Sequence, residues 1–202
     1  MSEYKLGFIK DEDLKKHVAE TISKYRFNID LKRFNRNLID PIKLTFDSKV
    51  YDKDLKDLIE GEVIRQFDKS NTNNIGYFNQ NIFNYIGGNE WHVPSQGFDI
   101  VNENKHIFVE LKNKHNTMNS SSSQKTYMKM QNKILRDSSA TCMLVEVIAN
   151  DSQNIAWSVS LDGESITNEN IRRVSIDKFY EIVTGQQHAF RDLVQALPLV
   201  ID

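Results

Sequence analysis

The sequence predicts an α/β protein built on a mixed β-sheet flanked by α-helices. Three observations lead there. Apolar residues recur at helical spacing through roughly the first 90 residues. After Trp91 the pattern becomes extended, with short runs rich in Val, Ile and Phe. A helical segment then separates the strands expected over 105–112 and 140–149, and strand–helix–strand makes a parallel crossover, expected right-handed. A hairpin before that unit adds antiparallel pairing, so the sheet is mixed.

Residues 11–25 read as an amphipathic helix, with Leu14, Val18, Ile22 and Tyr25 on one stripe. A second helical stretch is expected over 30–39, ended by Asp40-Pro41, because a residue before proline is pushed out of the helical region. Leu44-Thr45-Phe46 then reads as a short extended piece. Over 52–69, Leu55, Leu58, Ile59, Val63 and Phe67 share one side of a stronger helix. The cluster SNTNN at 70–74 reads as a loop. An aromatic-rich helix over 75–86 is stopped by Gly87-Gly88.

Strands follow over 98–102 and 105–112, joined at Glu103-Asn104 as a hairpin. A polar loop over 113–122 leads to a helix over 123–136. Strands over 140–149 and 155–160 and helices over 176–184 and 187–196 complete the order. With no repeat and no Pro- or Gly/Ser-rich linker, residues 1–202 are expected to form a single domain. Its helical part spans about 1–90, its sheet core about 91–160 and its C-terminal helices about 170–198.

Composition excludes several classes. The 202 residues are 39% hydrophobic and 27% charged with 3 Pro and 8 Gly, which is neither collagen-like nor low-complexity. Eleven Phe and seven Tyr supply the burial that offsets chain entropy, against disorder. A single cysteine, Cys142, excludes an internal disulfide and a cysteine-rich zinc site. The opening MSEYKLGFIKDED has no apolar stretch of the signal-peptide kind, and no run is long enough to cross a bilayer; a cytoplasmic protein is expected. The 26 basic and 28 acidic residues nearly cancel, but residues 105–137 hold seven Lys/Arg and two acids, a local balance of +5.

The chemistry gathers on the hairpin, in GFDIV…FVELKNK. Side chains alternate along a strand, so Glu110 and Lys112 share a face while Ile107, Val109 and Leu111 take the other. With a two-residue turn, Asn102 pairs with Lys105 and Asp99 with Phe108. That register puts Asp99 on the Glu110/Lys112 face, one diagonal from Glu110, with Ile100 against Ile107 and Phe98 against Val109 on the other side. A three-residue turn would reverse the parity. Two carboxylates so placed suit a hard divalent cation such as Mg²⁺. Such an ion polarises a phosphoryl oxygen and acidifies its bound water, and a lysine beside it orients that water or steadies the developing charge. Phosphodiester hydrolysis is the natural output.

Three neighbouring features strengthen that reading of an otherwise loose pattern. Glu62 falls inside the apolar stripe of its helix, where a carboxylate needs a partner or a metal unless it reaches water at the stripe's edge. Lys125, Lys129, Lys133 and Arg136 recur on one helical face, opposite Tyr127, Met130 and Ile134, as phosphate contacts would. The loop Asn113-Lys114-His115-Asn116-Thr117-Met118-Asn119 is dense in groups able to read base edges, although Asn also favours ordinary turns. The five histidines show no zinc spacing, and neither G-x-S-x-G nor G-x-x-x-x-G-K-[ST] occurs.

Asp99…Glu110-Leu111-Lys112 resembles the PD-(D/E)xK nuclease signature. GFDIVN…FVELKNKHNTMNSSS, with DPIKLTFD and SNTNNIGYFNQNIF upstream, resembles type II restriction endonucleases of the group that cuts GGWCC or GGNCC sites. The resemblance runs from about Asn28 to beyond Ala149. It implies a restriction-endonuclease-like sheet, Asp99 and Glu110 as metal ligands, the Leu111 carbonyl as a further ligand and Lys112 as the catalytic lysine. Glu62 becomes a helix-borne carboxylate of the same site, and pairing with a cognate DNA methyltransferase is implied. One departure is Phe98, where the signature has Pro.

The expected function is therefore Mg²⁺-dependent, sequence-specific hydrolysis of double-stranded DNA at a GGWCC/GGNCC-like palindrome. Asn113, Lys114, Asn116, Thr117 and Asn119 would approach bases or backbone, and Lys125 and Lys129 phosphates. Cutting both strands of a palindrome predicts a homodimer with one centre per strand. The alternatives are a non-catalytic DNA-binding module on the same fold and a repair or phage-type nuclease without sequence specificity.

Overall fold

The structure, a computed structural model, describes residues 3–88 and 90–202. Its elements run α1 (Asp11–Ile22), α2 (Leu31–Phe34), α3 (Pro41–Val50), α4 (Leu55–Asn81), a 3-10 turn (Ile82–Asn84), β1 (Ile100–Asn102), β2 (Ile107–Lys114), α5 (Ser120–Arg136), β3 (Thr141–Ile148), β4 (Asn154–Leu161), β5 (Glu164–Ser175), α6 (Ile176–Thr184) and α7 (Ala189–Ile201). The chain divides into two compact units, one of Met1–Ala19 with Gly76–Asp202 and one of Glu20–Ile75. Among the described residues no helix is long and apolar enough to cross a membrane.

The larger unit is built on one mixed sheet in the order β1-β2-β3-β5-β4. β2, β3 and β5 are parallel, and β1 and β4 pair antiparallel at the two edges. Period-2 alternation sends successive strand residues to opposite cores. Val109, Val145 and Val174 join Leu14, Val18, Phe83, Phe179 and Leu193 on one face. Phe108, Cys142, Leu144 and Ile171 meet Tyr127, Met130 and Ile134 of α5 on the other. The apolar side of α5 is thus consumed by the sheet, leaving Lys125 and Arg136 exposed on its other side and Lys129 and Lys133 half-buried.

The expected α/β class and the β2–α5–β3 parallel unit are present. One strand escaped the sequence reading: β5, which is the parallel partner of β3. Its first half, Glu-Ser-Ile-Thr-Asn-Glu-Asn, holds a single apolar residue, so neither helical nor alternating apolar pattern stands out. Asp162-Gly163 carried the signal: both residues have positive φ, 51° and 88°, and turn β4 directly into β5 with Leu161 opposite Glu164.

In the smaller unit, three expectations are corrected. Residues 44–46 are helical, inside α3, because Asp40-Pro41 begins a helix rather than ending one. The Asp40 carboxylate accepts from the amides of Ile42 (2.9 Å) and Lys43 (3.3 Å), and Pro41 fills the first turn, where no N–H is needed. The segment 30–39 yields only the single-turn α2, capped by Asp30.

The SNTNN cluster is also helical, inside the 27-residue α4. Asn side chains disfavour helices when they bond their own backbone. Here they bond elsewhere: Asn71 Oδ1 accepts from the Arg26 amide (3.1 Å), and Asn74 Nδ2 donates to the Lys24 carbonyl (2.8 Å).

The helix expected over 75–86 ends earlier than Gly87-Gly88: α4 stops at Asn81 and a 3-10 turn follows over Ile82–Asn84, while the two glycines, with φ of 76° and 66°, form a turn beyond it. A Cβ on Gly87 would stand 2.7 Å from Trp91 Cδ1, whereas one on Gly88 meets open space. Gly87→Ala should therefore cost about 2–4 kcal/mol, from backbone strain plus a clash with a buried indole. Gly88→Ala should cost about 1 kcal/mol, from strain alone. Urea-unfolding midpoints check this, and equal losses at the two positions would contradict the close approach to Trp91.

Candidate active site

The hairpin turn has four residues, 103–106, not two. Asn102 Oδ1 accepts from the Lys105 amide (3.0 Å), His106 takes a positive φ of 52°, and Asn102 pairs with Ile107. The register therefore differs by two residues from the expected one, with Ile100 opposite Val109. A shift of two leaves every side chain on its own face. Asp99, just before the paired residues, stays on the Glu110 side, where its charge acts on that carboxyl.

Asp99 precedes β1 and is held by the backbone around it. Its amide donates to the Val109 carbonyl (2.9 Å), its Oδ2 accepts from the Leu111 amide (2.8 Å), and its carbonyl accepts from Gln80 Nε2 (3.1 Å). The backbone irregularity here also corrects Phe98. Instead of facing Val109, its ring meets Phe108, centroids 5.5 Å apart, on the α5 side.

Glu110 is 8% exposed. Burial pushes its carboxyl above the ordinary range, and the Asp99 charge adds to that, against the pull of the Lys129 ammonium. Lys129 Nζ bonds Glu110 Oε1, donates to the Gly97 carbonyl (2.7 Å) and lies 4.5 Å from the centre of the Phe98 ring. Lys112 Nζ is 4.0 Å from Glu110 Oε2. Two carboxylates and two ammonium groups thus share one side of the hairpin.

Among the described residues no group of three or more His, Cys, Asp and Glu stands together. A donor set of two carboxylates still fits a hard ion that retains several waters. A buried carboxylate made more basic by a second carboxylate is the kind of group a cation relieves.

Glu62, in the smaller unit, is committed elsewhere. Its Oε2 and Oε1 each accept from Arg65, at 2.6 Å, and Oε1 also accepts from Gln66 Nε2 (2.9 Å). The Arg65 bonds hold its carboxyl below the usual range. The partner that the apolar stripe demanded is an arginine three residues along the same helix.

The loop residues are placed individually. Asn119 caps α5, accepting from the Ser122 amide (2.9 Å), and the helix starts at Ser120 rather than 123. Thr117 Oγ1 donates to the Lys114 carbonyl (2.9 Å) and Asn116 has a positive φ of 53°, which Asn tolerates. Asn113 packs against Gly76. Lys114, Asn116, Thr117, Asn119 and Lys125 are exposed. Along α5 a groove of about 510 Å³ is lined by Phe98, Lys125, Lys129, Asn132, Lys133 and Arg136.

One cluster was missed by the sequence reading. Glu146 on β3, in register with Lys112, is 2% exposed and takes two bonds from Arg173 of β5, Nε to Oε2 at 3.1 Å and Nη2 to Oε1 at 2.6 Å. His115 Nδ1 lies 2.8 Å from Arg173 Nη2 and 3.1 Å from Glu146 Oε2. A neutral His115 accepts from Arg173; a protonated one donates to Glu146. The cluster ties the start of the loop after β2 to the sheet. Its signal in the sequence was Glu146 itself, the one charged residue in the apolar run 140–149.

Burial raises the Glu146 carboxyl, but the bonds from Arg173 and His115 outweigh it and the net shift is downward. A depressed acid contributes stability above its unfolded pKa, about 4.3, and loses it as pH falls through the folded value. Arg173→Met should cost about 3 kcal/mol at pH 7 by leaving a buried charge unpaired. Its deficit against wild type should narrow as the pH is lowered through 4. Unfolding curves across that range check it, and a pH-independent deficit would contradict the assignment.

The family model of the Eco47II restriction endonuclease matches residues 6–202. The type II restriction enzyme Sau96I of Staphylococcus aureus is 30% identical over 208 residues, covering 98% of this chain and 80% of that one. The type II restriction enzyme Eco47II of Escherichia coli is 29% identical over 210 residues, covering 98% and 87%. The chain belongs to the Eco47II restriction endonuclease family, and so to the type II site-specific deoxyribonucleases.

Proposed function

We propose that this restriction endonuclease cuts double-stranded DNA with Mg²⁺ held by Asp99 and Glu110, at a GGWCC/GGNCC-like palindrome. The observation that carries the reading is the bond from the Leu111 amide to Asp99 Oδ2, which sets Asp99 beside Glu110 with Lys112 two residues further along the strand. When bound, the ion supplies charge for a phosphoryl oxygen and lowers the pKa of a water. Lys112 orients the attacking water and steadies the negative charge that grows on the phosphate. The Leu111 backbone, already tied to Asp99, offers its carbonyl as a further ligand. Glu62 is left out of the set because Arg65 and Gln66 take its oxygens.

Asn113, Lys114, Asn116 and Thr117 approach the bases or backbone as the loop leaves β2, and Asn119 contributes by starting α5. Lys125 contacts phosphate from the outward side of that helix. The two strands of a palindrome are served by two copies of the chain related by a two-fold axis. A cytoplasmic nuclease of this kind requires a cognate methyltransferase to protect the DNA beside it.

Plasmid DNA digested with Mg²⁺ should give discrete bands that EDTA and Glu110→Ala both abolish. Lys112→Ala should slow cleavage by about 10²–10³-fold while leaving retardation of a site-bearing duplex unchanged. Cleavage at the wild-type rate by Lys112→Ala would remove that lysine from the mechanism. Intact DNA under all conditions, with a retarded complex, would favour a binding module instead.

A further inference from the structure

We propose that Lys129 is a tethered counter-ion which holds the metal position closed until DNA arrives. The inference rests on the reading of Asp99 and Glu110 as metal ligands. Lys129 Nζ is bound to Glu110 Oε1, to the Gly97 carbonyl and over the Phe98 face, an acceptor set that surrounds a cation on several sides. The sequence pattern would have sent this ammonium outward to phosphate with Lys125. Instead it neutralises the carboxylate that the divalent ion needs.

The site's charges then balance: Asp99 and Glu110 against Lys112 and Lys129. A divalent ion entering with both lysines in place would leave the site with a surplus of two positive charges. Its binding to the free protein is therefore opposed by Lys129, both as occupant and as like charge.

Lys129 has somewhere else to go. It also lines the α5 groove with Lys125, Lys133 and Arg136, so its side chain stands between Glu110 and a row of cations suited to a DNA backbone. Lys133 is itself held by Asp137 at 3.6 Å and by the Phe108 ring at 3.9 Å, so Lys129 is the groove lysine bound to the site's carboxylate. A phosphate in that groove draws the ammonium off Glu110 and restores the negative charge that the ion requires. DNA binding and metal loading are then linked, each strengthening the other. Cleavage-competent metal is assembled on DNA rather than carried to it.

The test is calorimetric titration of the full chain with Ca²⁺, without DNA, for wild type, Lys129→Gln, Lys129→Met and Lys125→Gln. Both Lys129 variants should bind Ca²⁺ about tenfold more tightly than wild type, and Lys125→Gln no more tightly, which separates a contact effect from a change in net charge. A duplex carrying GGNCC should tighten wild-type binding towards that of Lys129→Gln. Lys129 variants that bind no more tightly than wild type, while Glu110→Gln abolishes binding, would overturn the counter-ion and leave the ligands standing. Ca²⁺ bound undiminished by Glu110→Gln would overturn the ligand assignment, and the counter-ion with it.

Discussion

The 2.8 Å hydrogen bond from the Leu111 amide to Asp99 Oδ2 keeps two like charges together at the head of a short strand. Carboxylates repel, and Glu110 meets Asp99 largely out of water, so the pair persists only because the backbone holds one member. What holds the backbone is hydrophobic burial on the opposite face. Ile100 and Val109 face each other across the hairpin and are fully buried in the core shared with Phe83 and Phe179. A slip of one residue would drive Glu110 and Lys112 into that core. The apolar face thus sets the register, and the register sets the chemistry.

Along the same face of the sheet, acids and bases are matched in turn. Glu110 answers Lys129 and Lys112; Glu146, beside Lys112 in register, answers Arg173 and His115. α5 carries four cations and no acid; Lys125 and Arg136 are exposed, while Lys129 turns to Glu110 and Lys133 to Asp137. Only four of the chain's 26 Lys and Arg stand on α5, but no acid of the helix offsets them, and the helix spends its other side on the core.

Much of this was legible in the sequence, for identifiable reasons. Strong periodicity marked α1, α5 and α6, and apolar runs marked β2 and β3. The face shared by Asp99, Glu110 and Lys112 survived a wrong turn length because the error was two residues and side chains alternate with a period of two. What failed were signals with two meanings. Asp-Pro can end one helix or begin the next, and Asp40 settles it through bonds that only the fold reveals. The Asn-rich stretch at 70–74 stays helical because its side chains find partners on a segment about 45–50 residues away in sequence. Glu62 does have the partner that its place in the apolar stripe requires, and that partner is Arg65, three residues along the same helix. Lys129 lay on the predicted basic face, yet one lysine's choice between solvent and a carboxylate across the sheet is a tertiary fact.

The central claim is that Asp99 and Glu110 together hold the divalent ion. The most direct measurement is anomalous scattering from Mn²⁺ in crystals of the protein bound to a duplex carrying GGNCC. The account predicts a peak within about 2.0–2.3 Å of a carboxylate oxygen from each residue, the range usual for hard octahedral ions. A Mn²⁺ peak that touches neither Asp99 nor Glu110 would contradict it.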